Sequence, residues 1–242
     1  MGVRQTTILV ILSFVAGLVV ASFAGFREFI PGLLEGAWVT VRITVQGCLL
    51  AVVMAVIAGI AKMYGPWPLR WLAVCYIEVF RGTSALVQLF WLFFVLPHFG
   101  VFLEPMTVAV VGLGLNVGAY GAEVVRGAIQ AVPRGQWEAS TALNLTRMQA
   151  LRRIILPQAL VAMIPPWGNL FIELLKSTAI VSLITIGDLA FRAQQMNQTT
   201  LKTVQIFSIV LVMYLAISMV ITLLMRLLER RAAAGLSRGR VS

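Results

Sequence analysis

Gly135-Gln136-Trp137-Glu138-Ala139-Ser140-Thr141-Ala142-Leu143-Asn144-Leu145-Thr146, followed by Arg152-Arg153-Ile154-Ile155-Leu156-Pro157-Gln158, forms the heart of the longest polar interruption in an otherwise apolar chain. Pro133 and Gly135 punctuate its start. The spacing predicts a short helix, a turn, and a second helix running to a proline. Ala139, Ala142 and Leu143 share one small apolar face at helical spacing. Asn144 stands where the first helix ends, and Asn tolerates the left-handed backbone that a helix C-terminus asks for. Thr146 is placed to cap the helix that follows. An exposed helix of this kind suits a groove on another protein or a position flat on a lipid surface.

On both sides of this loop the chain is too apolar for water. Of its 242 residues, 60% are hydrophobic and 12% charged, against about 45–50% and about 25% in soluble domains. The mean hydropathy is +0.94. A soluble globular protein and a disordered one are both excluded. Six apolar runs, at about 7–25, 37–61, 71–96, 106–126, 159–186 and 203–225, have the length of a bilayer crossing, which takes about 20 residues. The fold class is therefore an all-α integral membrane protein of about six transmembrane helices. The first run follows Arg4 but is long for a signal peptide, and no small-x-small cleavage site follows it. It reads as a retained anchor. The expected organisation is an anchor and short external segment over 1–33, one membrane domain over 34–229 with its loop at about 127–158, and a basic tail over 230–242.

Charge sets the orientation. The chain carries 19 basic and 9 acidic residues, net +10. With the N-terminus inside, 13 of the 19 basic residues fall in cytoplasmic segments. Only Arg27, Arg192 and Lys202 fall outside, and Arg42, Arg81 and Lys176 lie within spans. This asymmetry predicts that both termini are cytoplasmic. It also accounts for the net charge without nucleic acid, since the basic residues sit between apolar runs and form no amphipathic patch. Cys48 and Cys75 lie in apolar stretches and read as small core residues. One histidine, His98, is too few for a His-rich metal site. No G-x-x-x-x-G-K-[ST] run, Ser–His pair or H-E-x-x-H run suggests chemistry inside the chain. The absence of a visible internal repeat speaks against a self-contained secondary transporter.

Polar residues inside the spans are costly and normally face the bundle interior or water. The third span has Glu78, Arg81 and Gln88, the last two seven apart and so on nearly one helical face. The fourth has Gly112, Asn116, Tyr120 and Glu123, and the fifth Asn169, Glu173, Lys176 and Ser177. One reading is interhelical adhesion, with Glu173 paired to Lys176 and Asn116 bonding across a helix contact. The other is a path for a polar solute lined by Arg81, Gln88, Asn116, Tyr120, Glu123, Asn169, Glu173 and Lys176. Pro165-Pro166 predicts a kink or a break in the fifth span.

The pattern Glu138-Ala139-Ser140, then Asn144, then Leu156-Pro157 resembles the EAA loop of ABC importer permeases. That family's pattern is Glu-Ala-Ala, a Gly six positions after the Glu, and a closing Pro. Here Ser140 replaces the second Ala and Asn144 replaces the Gly. Two further blocks resemble the polar amino acid branch of the family. One is Glu78-Val79-Phe80-Arg81-Gly82-Thr83-Ser84-Ala85-Leu86-Val87-Gln88, with Ser84 at a position the branch usually gives to Pro. The other is Asn116 to Glu123 followed by Arg126-Gly127-Ala128-Ile129. Within the branch, the wording of Arg81 through Gly100 and of Pro165-Pro166-Trp167-Gly168-Asn169 is similar to ectoine/hydroxyectoine permease subunits. Permeases for glutamate, glutamine or histidine are the neighbouring alternative.

The resemblance implies an ABC type I importer transmembrane domain in a bacterial plasma (inner) membrane, with a cytoplasmic coupling helix. It implies three partners: an ATPase subunit dimer, a second permease subunit (a heterodimer before a homodimer), and an extracytoplasmic solute-binding protein. ATP and Mg would bind to the ATPase, and this chain would hold no cofactor or metal. Glu138, Ala139, Ser140, Leu143 and Asn144 would make the coupling contact, with Leu156 and Pro157 setting the exit from the loop.

Overall fold

The computed structural model is described over residues 27–238, with side chains through Ala233. The expected anchor at 7–25 lies outside the described residues. Helix α1, Ile30–Tyr64, opens with Pro31 in its first turn and stops at Gly65-Pro66. Its 35 residues span roughly 50 Å at about 1.5 Å per residue, well beyond a hydrocarbon core of about 30 Å. It buries a strip of small side chains, including Ala51, Ala55, Ala58 and Gly59, every three or four residues. That strip meets helix α4, Pro105–Gln130, the most deeply buried of the long helices. A Cβ on Gly118 would lie 2.8 Å from the Tyr76 hydroxyl and 3.2 Å from the Ala51 carbonyl oxygen, and one on Gly59 3.0 Å from the Ala122 carbonyl oxygen. Small residues here let two backbones touch, as dispersion packing in a membrane requires.

Between α1 and α4 the expected third span is two pieces. Helix α2 is Trp67–Gly82 and helix α3 is Ala85–Phe90, the latter continued by a π-turn at Trp91–Val95 and a 3-10 turn at Leu96–Phe99. The two arms meet at 107° across Thr83 and Ser84, both extended. A single straight helix over 71–96 is thus corrected. With it falls the shared face expected for Arg81 and Gln88, which stand on different arms.

After α4 comes the loop: helix α5, Arg134–Ala142, helix α6, Arg147–Ala150, and a π-turn at Leu151–Ile155. This leads directly into helix α7, Leu156–Ser177, which a 3-10 stretch extends over Thr178–Ile184. Of the kink or break expected at Pro165 and Pro166, the break is corrected: α7 runs unbroken through both. Met163 and Trp167 flank the prolines and are both buried. The Trp167 ring fits where Gly121 and Ala55 leave room, a Cβ on Gly121 coming within 2.9 Å of the indole. Packing holds the turn that two missing amides weaken. Helix α8, Leu189–Thr200, and helix α9, Thr203–Arg238, close the fold. Helix α8 is a short element between spans with no counterpart in the six expected runs.

Among the described residues, four helices are long and apolar enough to cross a membrane, and five if α2 with α3 is one crossing. The main core runs along α4 and α7 through Ile43, Leu89, Val117, Ile155, Leu174 and Ile184. Large apolar side chains such as Trp38, Leu49, Ile57, Leu211 and Leu224 stay exposed on the outer faces, as a surface solvated by lipid or protein requires.

Candidate functional site

Most of helix α5 is exposed, with Ser140 buried and Trp137 half-buried. The half-buried Trp137 packs against the main core. Ser140 turns inward, 2% exposed, and its hydroxyl donates to the Trp137 carbonyl at 2.7 Å. The opposite face carries Glu138, Ala139, Ala142 and Leu143, all exposed, with Leu143 at 70%. Its end is a Schellman turn. The Leu145 amide donates to the Ser140 carbonyl at 3.1 Å and the Asn144 amide to the Thr141 carbonyl at 2.9 Å. Asn144 takes the left-handed conformation, φ +58°, that the turn demands. Thr146 and Gln149 then form a reciprocal capping box at the start of α6. Leu156 is half-buried and Pro157 exposed at the entry to α7. Gln158 reaches back to the Ile154 carbonyl at 2.9 Å and to Gln136 at 3.4 Å, tying the two arms of the loop.

A second polar centre lies at the α2–α3 break. Ending α2 frees backbone carbonyls in an apolar setting, each needing a donor. The Gln88 amide donates to the Phe80 carbonyl at 3.0 Å and to the Thr83 hydroxyl at 2.6 Å. Asn116, 9% exposed on α4, donates to the same Phe80 carbonyl at 2.9 Å and to the Gln88 side-chain oxygen at 3.2 Å. The Tyr120 hydroxyl lies 3.5 Å from the Arg81 carbonyl, and the Arg81 guanidinium sits 5.4 Å from the Tyr120 ring centroid. Four of the expected residues therefore converge: Arg81, Gln88, Asn116 and Tyr120. Asn116 and Gln88 spend their donors on the break, whereas Arg81 is exposed and engages one aromatic face.

The other four stand elsewhere. Glu123 lies farther along α4 and is held by Lys62 of α1 at 2.7 Å and by Arg126 at 2.8 Å. Asn169, Glu173 and Lys176 are all exposed and form one stripe on α7 at spacings of four and three. No ion pair joins Glu173 to Lys176 among the described residues, so the pairing expected for them is corrected. Charges this exposed on a spanning helix cannot face lipid at low cost. The stripe marks a face turned to water or to another protein. Near it, Lys176 and Tyr214 share the wall of an apolar groove of about 420 Å³ between α7 and α9.

Lys62 and Thr83 carry no local sequence signal of these roles. Lys62 looked like an ordinary cytoplasmic loop charge, and Thr83 like one more residue of a continuous helix. Asp188 was also passed over. It is fully buried at the start of α8 and accepts from the Phe191 amide at 2.9 Å and the Ala190 amide at 3.2 Å. Burial pushes its carboxyl up to about 6, against the pull of those amides.

These features define the membrane domain of an ABC importer: bundled spans around α4, a broken second span, and a largely exposed helix with a capped turn. The chain belongs to the binding-protein-dependent transport system inner membrane component family, whose pattern matches residues 47–234. It is a permease subunit of an amino acid ABC importer in the inner membrane, a transport component and not an enzyme. The family implies an ATPase and a binding protein as partners. It is 45% identical over 210 residues to the "probable amino-acid ABC transporter permease protein y4tF" of Sinorhizobium fredii, covering 84% of this chain and 88% of that one. It is 39% identical over 204 residues to the glutamine transport system permease protein GlnP of Escherichia coli, covering 84% and 93%. Among solved structures, one described as an amino acid ABC transporter with histidines superposes with a TM-score of 0.81 at 35% identity, covering 87% of this chain and 98% of that one.

Proposed function

We propose that this permease carries a zwitterionic amino acid derivative, ectoine or hydroxyectoine first, and that α5 couples its movement to ATP. The coupling part rests on one observation: α5 presents Glu138, Ala139 and Leu143 outward from a turn stiffened by Asn144. An apolar face of this size fits a groove on the ATPase dimer, with Glu138 meeting a basic group there. Ser140 acts from inside, holding α5 to its own backbone, and Leu156 and Pro157 shape the return into the membrane. ATP and Mg belong to the ATPase, and no metal or cofactor to this chain. Both termini lie in the cytoplasm, a reading that the distribution of Lys and Arg supports. A related but distinct permease completes the pair, and its facing surface covers part of the α7 stripe.

Ectoine is supported by the wording of Arg81 through Gly100 and of Pro165 through Asn169. A solute with an amidinium-like cation and a carboxylate needs both signs and an aromatic or apolar wall. Arg81 beside Tyr120, and Asn169, Glu173 and Lys176 on α7, supply them; Gln88, Asn116 and Glu123 support that lining from behind. A second reading, a permease for glutamine, glutamate or histidine, is favoured by the glutamine system named above. Labelled uptake in cells lacking and regaining the chain separates the two. Ectoine uptake restored by the chain and blocked by hydroxyectoine alone is expected. Rescue of glutamine, glutamate or histidine uptake instead retires ectoine.

A further inference from the structure

Helices α1 and α4 touch along most of their length through small residues. Ala51 approaches Gly118, Ala55 approaches Gly121 and Gly59 approaches Ala122, while Leu50 covers Gly114 and Val125 covers Gly59. Such a contact is close and apolar. It holds the two helices together by dispersion, an attraction without direction. One polar device crosses it at the end nearest the loop. Lys62 donates to one oxygen of Glu123 at 2.7 Å, and Arg126 donates through Nε to the other at 2.8 Å. Arg126 also donates to the Gln130 side chain at 2.6 Å, in the last turn of α4. Three residues beyond Gln130 stands Pro133, the N-cap of α5.

A charged pair is a poor way to make helices adhere, because the cost of drying two ions offsets much of their attraction. What it fixes well is register. A slip of one helical turn, about 5.4 Å, would carry Glu123 out of hydrogen-bond reach of Lys62. We propose that Lys62, Glu123 and Arg126 form a register clamp that makes α1 and α4 move as one lever, so that a push received at α5 reaches both helices. These are positioning residues; they act through α5 and touch neither nucleotide nor ATPase. The inference rests on the coupling role proposed for α5.

The test uses the complete complex in proteoliposomes: this chain, its partner permease, the ATPase and the binding protein. Ectoine, glutamine, glutamate and histidine are supplied in turn, and solute imported per ATP hydrolysed is measured. Lys62→Met is expected to lower that ratio at least threefold while the amount of assembled complex stays level. The exchange Lys62→Glu with Glu123→Lys keeps an attraction across the interface, although it sets a second cation three residues from Arg126 on α4. It is expected to recover at least half of the lost ratio. An unchanged ratio in Lys62→Met overturns the clamp. So does a loss the exchange does not recover, or a fall in uptake that only tracks a fall in complex. If the unaltered complex imports none of the four solutes with ATP, the transport reading fails first, and the clamp with it.

Discussion

Two stretches of this molecule invert their sequence signals. Pro165-Pro166, the strongest helix breaker in the chain, sits inside an unbroken α7. Gly82-Thr83-Ser84, which contains no proline, marks a bend of 107°. What differs is the surroundings. At the prolines, Met163 and Trp167 are buried, and Trp167 packs against Gly121 of α4. At the bend, Gln88 and Asn116 wait with amide donors for the carbonyls that a break exposes. A break inside a membrane persists where its orphaned groups find partners, and a weak turn survives where packing leaves nowhere else to go.

The largest effect is expected where the coupling face is reversed in charge. Glu138→Arg should lower uptake by tenfold or more and leave the membrane helices as stable as before, since Glu138 is exposed. Normal uptake with normal ATPase copurification would contradict the coupling role. Next comes the bend. Asn116→Leu removes one of the two donors to the Phe80 carbonyl and the donor to the Gln88 side-chain oxygen, at a cost of about 1–3 kcal/mol. Its melting temperature in detergent should fall clearly, and Asn116→Leu with Gln88→Leu should depart from the sum of the two singles, because the two side chains bond each other and share one acceptor. Strict additivity would break the comparison.

Asp188 sharpens the same point at a third helix end. Its carboxyl titrates near 6 in the folded chain against an ordinary 3.8. In that window the folded state holds the proton more tightly than the unfolded one. This contribution is therefore greatest below about pH 4 and is lost as pH rises through 6, an effect on the order of 2–3 kcal/mol. Asp188→Asn should flatten that slope between pH 4 and 6 in thermal melts, and an unchanged slope would assign it to other groups. The smallest effect belongs to the prolines. Pro165→Ala returns an amide to a helix already in place and should raise the melting temperature by a few degrees. A clear fall would mean that the proline, and not Trp167, sets the local geometry.

The comparison also explains what could be read from residues alone. Asn144 and Thr146 were legible because a helix end is a local event, settled by the conformations a few neighbouring residues allow. The apolar runs were legible for the same reason, since crossing a bilayer is a matter of length and composition. The bend at Thr83 was not, because its carbonyls are answered from Asn116, thirty-six residues beyond Phe80. Nor was the Lys62–Glu123 bond, which spans sixty-one residues. Glu173 and Lys176 looked like a local pair because they are three apart, yet both point away from the chain. Partners outside a helix, not spacing within it, decide what its polar residues do.

The central claim is that α5 ties solute movement to a separate ATPase. The direct measurement is labelled solute uptake into proteoliposomes holding the reassembled complex, with this chain unaltered or carrying Glu138→Arg. Uptake that requires ATP and this chain, and that collapses in Glu138→Arg while the complex stays assembled, is the predicted result. Uptake that ignores ATP, follows a proton gradient and survives the substitution would contradict it.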